Sequence, residues 1–142
     1  MYKDILIPVD ISQESSWKKA LPTAVEYAKA FGARLHVMTV VPDFGMTIVA
    51  EYFPREYERN ALGDANQRLH EFVKAHVPQE VPVQHIIAHG AIYDEILKTA
   101  RTIGADLIVM AAHRRGLSGY LIGANADRVM RHADHSVLVV RD

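Results

Sequence analysis

Two places in the 142-residue chain gather side chains able to do chemistry. The first is Asp10, directly after the apolar run Ile5-Leu6-Ile7-Pro8-Val9. A carboxylate there can accept hydrogen bonds from a ribose or help hold a divalent metal. It can equally cap the next helix together with Ser12. The second is Ala111 to Asn125, which combines Gly116, Gly119 and Gly123 with the adjacent Arg114 and Arg115 ahead of a helix start. Glycines let backbone amides approach a ligand, a helix N-terminus favours negative charge, and arginine clamps phosphate oxygens. That is chemistry for a phosphate, and the competing reading is a solvated basic loop.

Missing motifs narrow the field further. The chain has no G-x-x-x-x-G-K-[ST], which excludes P-loop chemistry, and no G-x-G-x-x-G after the first strand, where a dinucleotide-binding domain needs it. A phospho-acceptor receiver would want a second carboxylate beside Asp10 and an aspartate after the third strand, where His89-Gly90 stands instead. Neither H-E-x-x-H nor G-x-S-x-G occurs. Cysteine is absent, which removes disulfides, thiolate metal sites and cysteine nucleophiles together. Of the eight histidines, His132 and His135 stand close but straddle a helix end without a convergent third ligand. His85 and His89 fall to one side of the third strand and read as surface or crevice-rim residues. Ser12, Ser15, Ser16 and Ser118 could accept phosphate, but each reads first as a cap or a surface hydroxyl.

These residues must be positioned by the elements around them. Five short apolar runs, Ile5 to Val9, Leu35 to Val41, Val81 to Ala88, Leu107 to Met110 and Ser136 to Val140, are nearly continuous in Val, Ile and Leu. Such runs suit parallel strands buried on both faces. Helical spacing lies between them. Trp17, Ala20, Leu21, Ala24, Val25, Ala28 and Phe31 form an apolar stripe after Ser12, a candidate N-cap, and before Gly32. Trp17 and Phe31 are expected in the core, and Pro22 should kink this helix or delay its start. A second helix is expected from about Pro54 to His76, a third carries Ile92, Ile96, Ala100 and Ile103 up to Gly104, and a fourth runs from about Gly119 to His132. Alternation of this kind means an α/β domain, residues 1–142, with a parallel sheet, right-handed crossovers and helices on both faces. Ligands then bind beyond the carboxyl ends of the strands, where strand order reverses. Orders 3-2-1-4-5 and 2-1-3-4-5 both fit, and residues after strand one matter in either. The long connection from Pro42 to Phe53, with Phe44, Met46, Ile48, Val49 and Tyr52, reads as a lid or a partner-facing flap.

Composition bounds the partners. Apolar residues make up 49% and charged residues 23%, enough to bury a core. Sixteen basic and 17 acidic side chains give a formal charge of −1, which advertises neither nucleic acid nor an anionic membrane as partner. No apolar stretch approaches the roughly 20 residues that span a bilayer. The start, MYKDILIPVD, is a poor secretory signal, so a cytoplasmic protein is expected.

On these residues the chain resembles the universal stress protein family along essentially its whole length. Ile5-Leu6-Ile7-Pro8-Val9-Asp10 is similar to the family's opening strand. Gly123-Ala124-Asn125-Ala126 through Val129-Met130-Arg131-His132-Ala133, then Ser136 to Arg141, is similar to its closing helix and strand. The branch it most resembles carries a His-Arg pair after strand four and a Gly-small-Asn turn. The resemblance implies a doubly wound, Rossmann-like five-stranded parallel open sheet in order 3-2-1-4-5, with the crevice between strands one and four. It implies ATP or another adenine nucleotide as ligand, with Asp10 near the ribose and phosphates and the backbone around Val40 facing the adenine. The Asp10 carboxylate and the Gly116–Asn125 loop in turn lead to the expectation of magnesium between the phosphates and Asp10. The binding segments carried over are Pro8, Val9 and Asp10, then Val40, then Met110, Ala111, His113 and Arg114, then Gly123, Ala124 and Asn125. The family's phosphate motif is G-x-x-G, a nine-residue spacer, then G-[ST]. Here Ala111 fills the first glycine position, the second falls near His113 or Arg114, Gly123 matches the third, and Ala124 replaces the hydroxyl residue. Asn125 and Arg114 are the candidate replacements.

The expected role is a nucleotide-binding sensor or signalling module of the stress response. Its rivals are a dimeric interaction module with an empty crevice and a slow ATPase or self-phosphorylating enzyme. Strand five would be an open apolar edge, so a homodimer through Ser136 to Arg141 is expected, as the resemblance also suggests.

Overall fold

A computed structural model describes residues 1–42, 55–112 and 121–141 of the chain. The described elements are β1 (Asp4–Pro8), α1 (Ala20–Phe31), β2 (Arg34–Pro42), α2 (Arg55–His76), β3 (Val83–Gly90), α3 (Ile92–Ile103), β4 (Leu107–Ala112), α4 (Leu121–His132) and β5 (Ser136–Arg141), with a short 3-10 turn at Glu14–Ser16. The five strands form one parallel sheet in the order β3-β2-β1-β4-β5. The segments 43–54 and 113–120 lie outside the described residues, and with them the expected flap, His113, Arg114 and most of the glycine-rich loop.

Strand alternation sends side chains to two faces, and both are covered. On one, Ile5, Ile7, Leu35, Val37, Leu107 and Val109 pack with α1 and α2 through Leu21, Ala24, Leu69 and Phe72. On the other, Leu6, Met38, Ile108 and Met110 pack with α3 and α4 through Ile96, Ala100, Ala126 and Val129. Burial on both sides is why these strands read as continuous apolar runs instead of alternating ones.

The helix boundaries follow from local chemistry. Gly32 and Gly104 end α1 and α3 with φ of 63° and 66°, the left-handed conformation that glycine adopts without cost. Pro22 falls in the first turn of α1: Leu21 and Thr23 on either side donate to the Trp17 and Lys19 carbonyls, and proline, without an N–H, leaves out the bond between them. It marks a delayed start and not a kink. Ser12 is not the N-cap of α1: Lys19 occupies that position without a capping side chain, and the Ser12 hydroxyl donates to Asp10. Strand β3 begins at Val83 and not at Val81. Val81 closes a turn onto Pro78, and Pro82 has no N–H to offer the ladder.

Phe31 also departs from expectation. It is 39% exposed at the end of α1, with ring edges against Tyr2 at 5.6 Å and Tyr27 at 5.9 Å. Trp17 is half-buried and packs edge-on against Phe72 at 5.0 Å. Inside the second strand, His36 interrupts the apolar run yet is buried. Its Nε2 lies 2.9 Å from Asp4 Oδ1 and its Nδ1 meets Gln84 Oε1, so a polar row crosses three neighbouring strands at the end of the sheet remote from Asp10.

Helix α2 is joined to the edge strand β3 by a stack of His70 on His85, with centroids 3.7 Å apart and planes 20° from parallel. Burial pushes the His85 imidazole below its ordinary 6.5, and the neighbouring His70 pushes it the same way. The unfolded chain therefore takes up this proton more readily than the folded one. Stability contributed here is fully present above 6.5 and is expected to fall as the pH drops below that value, until folded His85 itself protonates. Thermal melts between neutral and mildly acidic pH should show it, with a shallower acid slope in His85→Phe.

Candidate nucleotide crevice

The chain must turn sharply after β1, and the residues after Val9 organise that turn. Asp10 Oδ1 accepts from the Ser12 N–H at 3.1 Å and the Ser12 hydroxyl at 2.7 Å, an Asx turn reinforced by a second donor. The Asp10 main chain is gripped by Ser16, whose hydroxyl accepts from the Asp10 N–H at 2.9 Å and donates to the Asp10 carbonyl at 2.9 Å. Ser16 is fully buried, so it is a positioning group for Asp10 and not a surface hydroxyl. Removing it strands a part-buried N–H, a loss of about 1–3 kcal/mol. Ser16→Ala is therefore expected to lower the melting temperature, measurable by calorimetry, and to loosen Asp10.

Beyond this turn lies a cavity of about 240 Å³. Asp10 and Ser12 form one side, and Thr39, Val40 and Val41 at the end of β2 form another. Helix α2 closes it with Ala61, Asp64, Ala65 and Arg68. Asp10 follows the carboxyl end of the central strand β1, and Val40 lies in the last residues of the neighbouring β2. The cavity therefore opens at the carboxyl edge of the sheet on the β2 side of β1, and its described lining includes no residue of β4, on the far side of the expected β1–β4 crevice. The Asp10 Oδ2 atom has no partner among the described residues, so the carboxylate keeps acceptor capacity.

The sequence-derived residues fall into three groups. Asp10 and Val40 are brought together on the cavity. Val9, Met110 and Ala111 are core residues, each at most 4% exposed, and Pro8 is the last residue of β1. They can contribute only backbone. Gly123, Ala124 and Asn125 fall in the opening turn of α4, whose first turn carries no acidic residue. A helix start free of carboxylates favours an anion. His113 and Arg114 lie outside the described residues. Sequence reasoning missed Thr39, Asp64 and Arg68. The α2 residues sit on a polar helix face that reads as solvated, and only the packing of α2 over β2 brings them to Asp10.

Among the described residues no three His, Asp or Glu side chains converge as a metal site, His132 and His135 included. No described helix is long and apolar enough to cross a membrane.

A doubly wound parallel sheet with a cavity at its carboxyl edge defines the class as an open α/β domain. The model of the universal stress protein family matches residues 1–141, and the chain belongs to that family. It is 30% identical to universal stress protein G of Escherichia coli O157:H7, over 99% of this chain and all of the relative. It is 26% identical to a universal stress protein of Methanocaldococcus jannaschii, over 99% of this chain and 96% of that one. The solved structure of that archaeal protein superposes with a TM-score of 0.73 over 100% of this chain and 97% of its own. A universal stress protein solved in complex with cAMP gives a TM-score of 0.63 at 26% identity, over 99% and 97% of the two chains.

Proposed function

We propose that this universal stress protein binds an adenine nucleotide in the crevice beside Asp10 and acts as a cytoplasmic sensor or signalling module of the stress response. The observation that carries the reading is the cavity itself: it joins a carboxylate with spare acceptor capacity to an apolar floor at Val40 and Val41. Ribose hydroxyls would donate to Asp10, the base would lie along the end of β2, and phosphates would run toward the start of α4. The relative that holds cAMP supports the same class of ligand. Magnesium fits as a secondary guest. Asp10 would hold it with one carboxylate oxygen while the nucleotide supplies phosphate oxygens, the usual mode for this ion.

Ala111 and Ala124 favour a second reading, a dimeric interaction module whose crevice no longer holds nucleotide. A lost hydroxyl–phosphate bond is worth about 1.5–3 kcal/mol, so the phosphate end is the weaker half of the site. Isothermal calorimetry with ATP, ADP and AMP separates the two readings. Measurable binding of at least one supports the first, whereas no heat and no thermal protection with any of them overturns it. Slow hydrolysis or self-phosphorylation would appear as turnover that disappears in Asp10→Ala.

A further inference from the structure

Helix α2 presents a carboxylate and a guanidinium to the cavity that the nucleotide reading leaves unassigned. Asp64 and Arg68 are four residues apart, so they share one helix face about a turn apart. That spacing permits a mutual ion pair, yet neither residue has an ion pair or hydrogen bond among the described residues. Both keep their bonding capacity for something else.

Charge decides which part of a nucleotide this wall meets. Among the described residues the ionisable side chains on the cavity are Asp10, Asp64 and Arg68, two anions against one cation, which disfavours a phosphate against this wall. Position agrees. The cavity lies on the β2 side of β1, whereas the start of α4 belongs to the β4 side. What suits this wall is a flat, uncharged group with both donors and acceptors along its edge, resting on Val40, Val41, Ala61 and Ala65. A nucleobase has that chemistry.

We propose that Asp64 and Arg68 read the base, Asp64 accepting from an exocyclic 6-amino group and Arg68 donating to N7, so that the pocket selects adenine over its 6-oxo counterpart. This rests on the nucleotide reading above. An ionised carboxylate is acceptor-only, and guanidinium is donor-only. Adenine offers Asp64 a donor at the 6-position and offers Arg68 an acceptor at N7. Hypoxanthine puts an oxygen at the 6-position, lone pairs against the carboxylate. Its nearest donor, N1–H, is displaced by one ring atom.

The test is calorimetric titration of AMP and IMP into the wild-type chain, Asp64→Asn and Arg68→Ala. Both residues are exposed on a helix, so the variants should melt with the wild type. Wild type is expected to favour AMP by about ten-fold or more. Asp64→Asn, whose amide also donates, should shrink or invert that ratio. Arg68→Ala should weaken AMP and IMP alike and leave 7-deaza-AMP unchanged. Equal wild-type binding of AMP and IMP, or a ratio that survives Asp64→Asn, overturns the base-reading role while the nucleotide site stands. Wild-type protein that binds neither nucleotide overturns the site and this role together.

Discussion

Asp10→Ala is expected to weaken adenine nucleotide binding by roughly 10- to 100-fold while leaving the protein folded. The carboxylate stands at the lip of the cavity with one oxygen committed to Ser12 and the other without a partner among the described residues. A hydrogen bond from a ribose hydroxyl to a charged acceptor is worth about 1.5–3 kcal/mol, and each 1.4 kcal/mol is a factor of ten in affinity. The cost to the fold is smaller. Ser12 is exposed and can bond water in place of Asp10, while Ser16 still holds the residue-10 main chain at both its N–H and its carbonyl. Asp10→Asn should fall between the two. It keeps an oxygen for the Ser12 turn but gives up the charge and turns one acceptor into a donor. Calorimetric titration alongside thermal melts measures both quantities. Affinity that does not change in Asp10→Ala would remove the ribose from this carboxylate.

How much of this could be read from the sequence depends on the range of the interaction concerned. The strands were legible because burial on two faces leaves a continuous apolar run, and the helix ends because Gly32 and Gly104 satisfy a local conformational demand. Strand order was not legible in that way. The same alternation of strand and helix permits either order, and the β1–β4 neighbourhood entered through the family resemblance alone. Asp10 stood out because it follows a strand end, whereas Val40 entered through the family resemblance. Ser16 did not, because a buried serine and a surface serine look the same until the turn around Asp10 is built. Asp64 and Arg68 belong to a helix face whose polarity suits water as well as it suits a ligand. Phe31 had the right period for the core, but helical period says nothing about how far a sheet extends beneath the helix, and the last turn of α1 leaves it half in solvent.

The same sheet makes an expectation about assembly. Among the described residues strand β5 pairs with β4 on one side only, and no described strand forms a ladder along its other side. Val137, Leu138 and Val139 along it are half-buried. An apolar edge of this kind promotes pairing with another chain, and a second copy across a two-fold axis satisfies it without open-ended growth. β3 is the other edge, but His85, His89 and Gln84 interrupt it, so β5 is the better seam. We therefore propose that the wild-type protein sediments at twice its chain mass. Val139 is the place to break the pair, because it belongs to neither core cluster, unlike Val140, or Val137 and Leu138 packed against them. Val139→Lys should put a charge into the seam and give a folded monomer at micromolar concentration, read by sedimentation velocity with circular dichroism as the control for folding. A wild-type monomer at every concentration would exclude the dimer. A dimer that survives Val139→Lys would move the seam away from β5, with β3 the next edge to test.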